Sequence, residues 1–279
     1  MAPLREKTIL DAAATDAPPA FSPDLLKGRV ALVTGSTAGI GARTAEQLAR
    51  AGAAVILNGR SETSGLAMKA ELERRVPNGR FDFFAADYHR PDQIERLFEH
   101  AKAEHGGVDI FIHTCLTEGA GPKPFMETDR GYWQAAVSGL FLSLLECCRL
   151  AVPQMLAKGG GAIVSFASDA AKVATPGEAV IGAALAANVM FVRALGLELG
   201  RQNIRVNAVT PSITRGTKTY EKVMAGGFSK ALFEKAERRA RLGVASAENV
   251  APMAVFLASP LASHITGQVV SVNGGISAA

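Results

Sequence analysis

Apolar residues in this chain fall into short unbroken runs, separated by stretches with helical spacing. The run "RVALVTG" is a β-branched strand, Val30 to Val33, ending at Gly35. "TAEQLARAGA" follows, with Ala45, Leu48 and Ala49 on one helical face and Gly52 as its stop. The alternation then repeats. "AVILNGR", "RFDFFAAD", "VDIFIHT", "GAIVSFAS", "IRVNAVTPS" and "GQVVSVNGG" are the later strands. The helices between them include the charged "TSGLAMKAELERRV", "PDQIERLFEHAKAEHG" opened by Pro91, and a long "YWQAAVSGLFLSLLECCRLAVPQMLAKGG". Another helix, "GEAVIGAALAANVMFVRALGLELG", is apolar nearly throughout. Strands alternating with helices predict βαβ units and a parallel sheet covered on both faces. The fold class expected is therefore α/β, a Rossmann-type doubly wound seven-stranded sheet. No repeat or linker divides it, so residues 26–279 are expected as one domain behind an N-terminal arm, 1–25.

Composition narrows the function classes. Of 279 residues, 48% are hydrophobic and 20% charged, which suits one large core. The net charge of +4 comes without a Lys/Arg block, so no nucleic-acid partner is expected. Cys115, Cys147 and Cys148 are too few for a disulfide scaffold and fit a reducing, cytoplasmic setting. Cys147 and Cys148 read as core residues of the long helix. No Cys/His cluster has zinc spacing, so no metal is expected. The arm has scattered acids and no apolar core, unlike a secretory signal. The longest apolar stretch, Ala179 to Leu197, contains Asn188 and Arg193, so a buried or interface helix is expected and not a membrane span. The helices Tyr132 to Leu156 and Gly177 to Leu199 are apolar around their circumference, which predicts a homodimer or homotetramer. Residues 212–241 carry eight Lys/Arg and three Glu, a local +5. This segment is either a mobile lid favouring anionic substrates or the solvated faces of two surface helices.

The chemistry starts at "TGSTAGIG", Thr34 to Gly41, between the first strand and the first helix. Gly35, Gly39 and Gly41 allow a sharp turn and let backbone N–H groups approach a pyrophosphate at the helix N-terminus. Asn58-Gly59-Arg60 ends the second strand. No carboxylate stands there for a ribose 2′-hydroxyl, and Arg60 is placed to meet a 2′-phosphate, which favours NADP(H) over NAD(H). Asp87 suits either the adenine edge or a helix cap before Pro91.

With "TGSTAGIG", "AAD", "VDIFIHT", "GAIVSFAS", "IRVNAVTPS" and "GQVVSVNGG" in order, the chain resembles the short-chain dehydrogenase/reductase superfamily from Leu26 to its end. The resemblance implies a nicotinamide cofactor held by Gly35, Ser36, Thr37, Gly39, Ile40, Gly41, Arg60, Asp87, His113, Pro211 and Ile213, with a small-molecule substrate. It also implies a catalytic Asn, Ser, Tyr and Lys. Ser168 matches the serine. The tyrosine position, thirteen residues on, holds Ile181, and the lysine position holds Leu185. The asparagine position falls at Leu140. The strand-four motif reads His113-Thr114-Cys115-Leu116, the turn after strand six Pro211-Ser212, and the C-terminal motif Asn273-Gly274-Gly275.

General acid catalysis is worth roughly 10²–10⁴-fold, so losing the tyrosine costs about 3–5 kcal/mol of barrier. His113 is a candidate replacement donor or ribose contact, or a core histidine. Asp169 and Lys172 are candidates for an acid or ion pair, or solvated loop residues. Ser168 lacks a visible base, which argues against a hydrolase. The first expectation is a reductase that passes hydride without the Tyr-Lys relay. A catalytically silent nucleotide-binding subunit and a non-redox isomerase or lyase are the rivals.

Overall fold

The computed structural model describes residues 21–114 and 121–279. The strands are β1 (Val30–Thr34), β2 (Ala54–Gly59), β3 (Arg80–Ala85), β4 (Ile110–His113), β5 (Gly161–Phe166), β6 (Ile204–Pro211) and β7 (Val269–Val272). They form one parallel sheet in the order β3-β2-β1-β4-β5-β6-β7. The helices are α1 (Gly39–Arg50), α2 (Glu62–Arg75), α3 (Pro91–His105), α4 (Arg130–Val137), α5 (Ser143–Ala157), α6 (Ala179–Leu199), α7 (Lys218–Met224), α8 (Phe228–Arg239) and α9 (Ala247–Ala258). This is the expected doubly wound fold.

Alternation along each strand sends side chains to two cores. On β1, Ala31 and Val33 join Leu48 of α1, Leu72 of α2 and Val255 of α9. Val30 and Leu32 face the other way, onto Phe98 of α3, Leu144 of α5 and Val192 of α6. Burying each such Leu, Val or Phe contributes about 1.5–3 kcal/mol, so the strands read as continuous apolar runs. Cys147 and Cys148 are buried in the second core, as expected. The strand order reverses between β1 and β4, which opens a crevice at the carboxyl ends of the strands.

Two elements depart from the sequence reading. The long helix is interrupted: Ser138–Leu142 forms a wider π-turn between α4 and α5. The Ser143 hydroxyl donates to the Gly139 carbonyl across it, 2.7 Å. Helix α9, unanticipated because Pro252 stands inside it, packs on α1. A reciprocal Ser246–Asn249 capping box starts it.

The basic segment 212–241 contains α7 and α8, and all eight of its Lys/Arg side chains are exposed. Helical stretches 130–157 and 179–202 are long and apolar enough to cross a bilayer, but their inner faces are buried on the sheet. Most of the arm, and both Cys115 and Leu116, lie outside the described residues.

Candidate active site

The turn after β1 is built by sterics. Gly35 and Gly39 have φ of 65° and 53°, in the region that favours glycine. A Cβ on Gly41 would lie 2.4 Å from the Gly35 carbonyl oxygen and 2.6 Å from Thr114 Oγ1. Thr114 in turn donates its hydroxyl to the Thr34 carbonyl, 2.5 Å. Ala38 stands at the N-cap of α1 with extended backbone and no side-chain cap bond. The first-turn N–H groups of α1 are therefore left for a ligand, and the positive end of the helix dipole favours an anion there. Ser36 is fully buried; its Oγ accepts from the Asn58 N–H at 2.9 Å and lies 3.3 Å from the Asn58 carbonyl. Its side chain fastens the turn to β2 and does not face the crevice. Thr37 packs over Gly59, where a Cβ would meet its methyl at 2.5 Å. Ile40 is half-buried beside it.

Arg60 is exposed directly beyond the end of β2. The neighbouring Asn58 amide is committed to the Phe84 and Ala86 carbonyls, both at 3.1 Å. Asp87 receives the His89 N–H on Oδ1 at 3.0 Å, so it shapes the turn before α3. It is half-buried. Pro211 ends β6 opposite Val272, and Ile213 is buried just beyond it. These residues share the carboxyl edge of the sheet.

His113 lies in the interior of the fold. It is buried, with Nε2 3.1 Å from Ser143 Oγ and Nδ1 without a partner among the described residues. Ser143 gives its proton to Gly139, so His113 Nε2 is the donor. Burial pushes its pKa down to about 4. A neutral imidazole sealed between β4 and α5 is a poor proton source at pH 7.

The other side of the crevice is apolar. Leu140, Ile181 and Leu185 pack in one buried cluster with Ala167, Ala184 and Val189, and Tyr132 leans against it. Asn188, one turn past Leu185, reaches Ser165 Oγ at 3.0 Å and the Leu140 carbonyl at 3.5 Å. Ser168 is half-buried and accepts the Ala170 N–H at 3.2 Å, while no acceptor holds its own proton among the described residues. It can donate to a substrate oxygen. Asp169 is buried and anchors the C-terminal segment: Oδ2 receives Asn273 Nδ2 at 2.6 Å and the Ser277 hydroxyl at 2.8 Å. Lys172 donates to Ser271 and to the Ala279 carbonyl, the latter at 2.6 Å. Neither is a solvated loop residue. Both tie the segment after β7 to the loop after β5.

Sequence reasoning passed over Glu178. It is half-buried at the N-cap of α6, three residues before Ile181. Burial, helped by the nearby Asp169 charge and opposed by a hydrogen bond with Thr175, raises its pKa to about 7. The phenol of Tyr132 is raised as well, by burial and by Glu178. An acid at a helix start ordinarily reads as a dipole partner, so its signal was the apolar company of the helix it opens.

Known proteins place this arrangement. Residues 35–277 match the family model described as enoyl-(acyl carrier protein) reductase. The chain belongs to that family, within the short-chain dehydrogenase/reductase superfamily. It is 30% identical over 254 residues to the 3-oxoacyl-[acyl-carrier-protein] reductase FabG of Chlamydia muridarum, covering 90% of this chain and 98% of that protein. The 7alpha-hydroxysteroid dehydrogenase of Escherichia coli is also 30% identical, over 250 residues, covering 90% and 94%. Among solved structures, a 7alpha-hydroxysteroid dehydrogenase complexed with NADH and 7-oxo glycochenodeoxycholic acid superposes with a TM-score of 0.83 at 28% identity, covering 91% of this chain and 97% of that one. L-sorbose reductase from Gluconobacter frateurii, complexed with NADPH and L-sorbose, superposes at 0.81 with 29% identity, covering 91% and 98%. This superfamily member is therefore an oxidoreductase by family, and its relatives bind nicotinamide cofactors and act on small molecules.

Proposed function

We propose that this short-chain dehydrogenase/reductase is an NADP(H)-dependent reductase that passes hydride to acceptors needing no immediate proton. The observation that carries the reading is an intact nucleotide turn facing an apolar cluster of Leu140, Ile181 and Leu185. Gly35, Gly39, Gly41 and the uncapped start of α1 fit a pyrophosphate. Exposed Arg60, directly after a strand whose sequence, AVILNG, ends without a carboxylate, supports a 2′-phosphate. The nicotinamide, when bound, supplies the hydride.

At the tyrosine and lysine positions implied by the superfamily, the side chains here neither give a proton nor hold a ribose. A reduced ketone is an alkoxide that needs a proton at once. A reduced iminium ion is a neutral amine, and an enone or quinone spreads its new charge. Ser168 orients the acceptor through its uncommitted hydroxyl. Glu178, protonated near neutrality, is the acid for whatever slower ketone turnover occurs. The outer faces of α4, α5 and α6 expose Val137, Leu156, Met190 and Leu197, which supports a homodimer or homotetramer through them. Light scattering should show assembly at micromolar chain.

The same closed cluster favours a second reading, a nucleotide-binding subunit that performs no chemistry. NADPH deuterated at the nicotinamide separates the two. Incubation with ketone, enone, quinone and cyclic imine panels should place deuterium in an imine, enone or quinone product. NADPH binding without label in any product would select the silent subunit.

A further inference from the structure

We propose that Asp82, His100 and His105 form a divalent transition-metal site, separate from the nucleotide crevice, that clamps helix α3 to the edge of the sheet. Asp82 lies on β3, the outermost strand, paired only with β2. His100 lies in the last turns of α3, and His105 is its final residue before Gly106 ends the helix in the left-handed conformation. The spacing of the two histidines carries no zinc pattern by itself. The fold adds the missing carboxylate from another element.

The geometry is convergent. His100 Nε2 is 2.6 Å from Asp82 Oδ2, and His105 Nε2 is 2.8 Å from the same oxygen. The candidate ligand atoms of the three residues all lie within 4.8 Å of one another. The set is also held in place. Asp82 Oδ1 accepts the Phe83 backbone N–H at 2.7 Å, which leaves Oδ2 turned to the histidines. The Phe84 ring sits 4.9 Å from the His100 ring and fixes its plane. The three side chains are 23–31% exposed, so an ion and a water ligand can enter from solvent.

Two imidazoles and one carboxylate are the donor set of a borderline cation. Zinc takes such ligands at about 2.0–2.2 Å, commonly with a water completing the tetrahedron. Calcium and magnesium want mostly oxygen, and here the protein offers a single carboxylate. Coordination requires both rings neutral, with the proton on Nδ1 and the Nε2 lone pair toward the ion. The ion then lies between the two nitrogens and Oδ2, where two N–H···O bonds stand without it. Tetrahedral ligands at about 2.0–2.2 Å stand about 3.3–3.6 Å from one another, so each imidazole nitrogen must draw back from Oδ2 by about half an ångström or more, which partly exposed side chains allow.

The site takes no part in hydride transfer. Asp82 is in the middle of β3, and the C-terminal end of α3 leads back toward the start of β4, away from the Gly35–Gly41 turn. Its effect is on stability: an ion that binds only the folded chain stabilises it in proportion to the logarithm of the free ion over Kd.

The test uses the full chain, stripped with chelator and titrated with zinc chloride by calorimetry. Thermal unfolding is followed in parallel, and cobalt(II) serves as a spectroscopic probe. One ion per chain is expected, with a raised unfolding midpoint and cobalt absorption of tetrahedral type. His100→Ala, His105→Ala and Asp82→Asn should each weaken zinc binding by at least about 10–100-fold, the loss that removing even an outer partner of a metal ligand causes. His264→Ala, on an exposed histidine elsewhere, should leave binding unchanged. In the unaltered chain, zinc should shift the imidazole nitrogen resonances of two histidines together. Absence of binding, binding that survives all three substitutions, or resonances that stay in place would each overturn the proposal.

Discussion

The two halves of the crevice are built on opposite principles. At the β1–α1 turn, backbone is brought so close to backbone that only glycine fits, and polar N–H groups are left open. At the start of α6, Leu140, Ile181 and Leu185 pack in one buried cluster with the Tyr132 ring against it, and Ser168 and Glu178 are half-buried on the loop and cap that precede the helix. On the function proposed above, the first half holds the nucleotide's anion and the second gives a new alkoxide little stabilisation, which suits acceptors whose products are neutral or delocalised.

Substitutions that exchange the character of the halves test this division. Leu185→Ala should cost about 2–5 kcal/mol of stability, as buried leucine truncations do, while NADPH affinity stays within a factor of about two. Denaturant unfolding with calorimetry separates the two effects. A large loss of affinity at unchanged stability would show that the apolar half holds nucleotide.

His113 lies between the halves, and its effect is one of pH. Its folded pKa is depressed to about 4 from 6.5. The unfolded chain therefore takes up a proton first as pH falls. Stability is complete above about pH 6.5 and is lost down to about pH 4, by roughly 3 kcal/mol at 1.36 kcal/mol per unit. His113→Gln keeps a donor toward Ser143 and removes the titration. Its urea midpoint should vary much less with pH in that window. An unchanged acid dependence would mean that His113 is protonated in the folded protein.

Gly41→Ala should shift the turn at a cost of about 1–3 kcal/mol, and NADPH affinity should fall roughly tenfold to a hundredfold at ~1.4 kcal/mol per decade. Smallest in effect is Arg60→Ala. It should weaken NADPH by about 1 kcal/mol, about fivefold, as for an exposed charge pair, and leave NADH nearly unchanged. Calorimetry with both cofactors decides it, and equal losses would remove Arg60 from the 2′-phosphate.

How much was legible follows from these particulars. The inner strands were visible because both faces are buried, so most positions are apolar, while the edge strands β3 and β7 are only partly buried. The glycine turn was visible because steric demands there exclude other residues. The π-turn at Ser138–Leu142 was not, since its apolar side chains suit an ordinary helix equally well. Helix α9 was hidden by Pro252. The roles of Asp169 and Lys172 were hidden because their partners, Asn273, Ser277 and Ser271, lie about a hundred residues away in sequence. Pairing at that distance leaves no local pattern. Asp82 stands only 18 and 23 residues from His100 and His105, but on a different element, which leaves no local pattern either.

The central proposal is that acceptor chemistry, and not cofactor binding, limits this oxidoreductase. It is tested most directly by NADPH consumption with a matched cyclic ketone and cyclic iminium ion under identical conditions, in the parent chain and in Glu178→Gln. The account predicts iminium reduction at least roughly 10²-fold faster than ketone reduction, by the magnitude of general acid catalysis. It further predicts ketone turnover that declines above about pH 7, as Glu178 ionises, and iminium turnover indifferent to the substitution. Ketone reduction as fast as that of the iminium ion, and unaffected by Glu178→Gln, would contradict it.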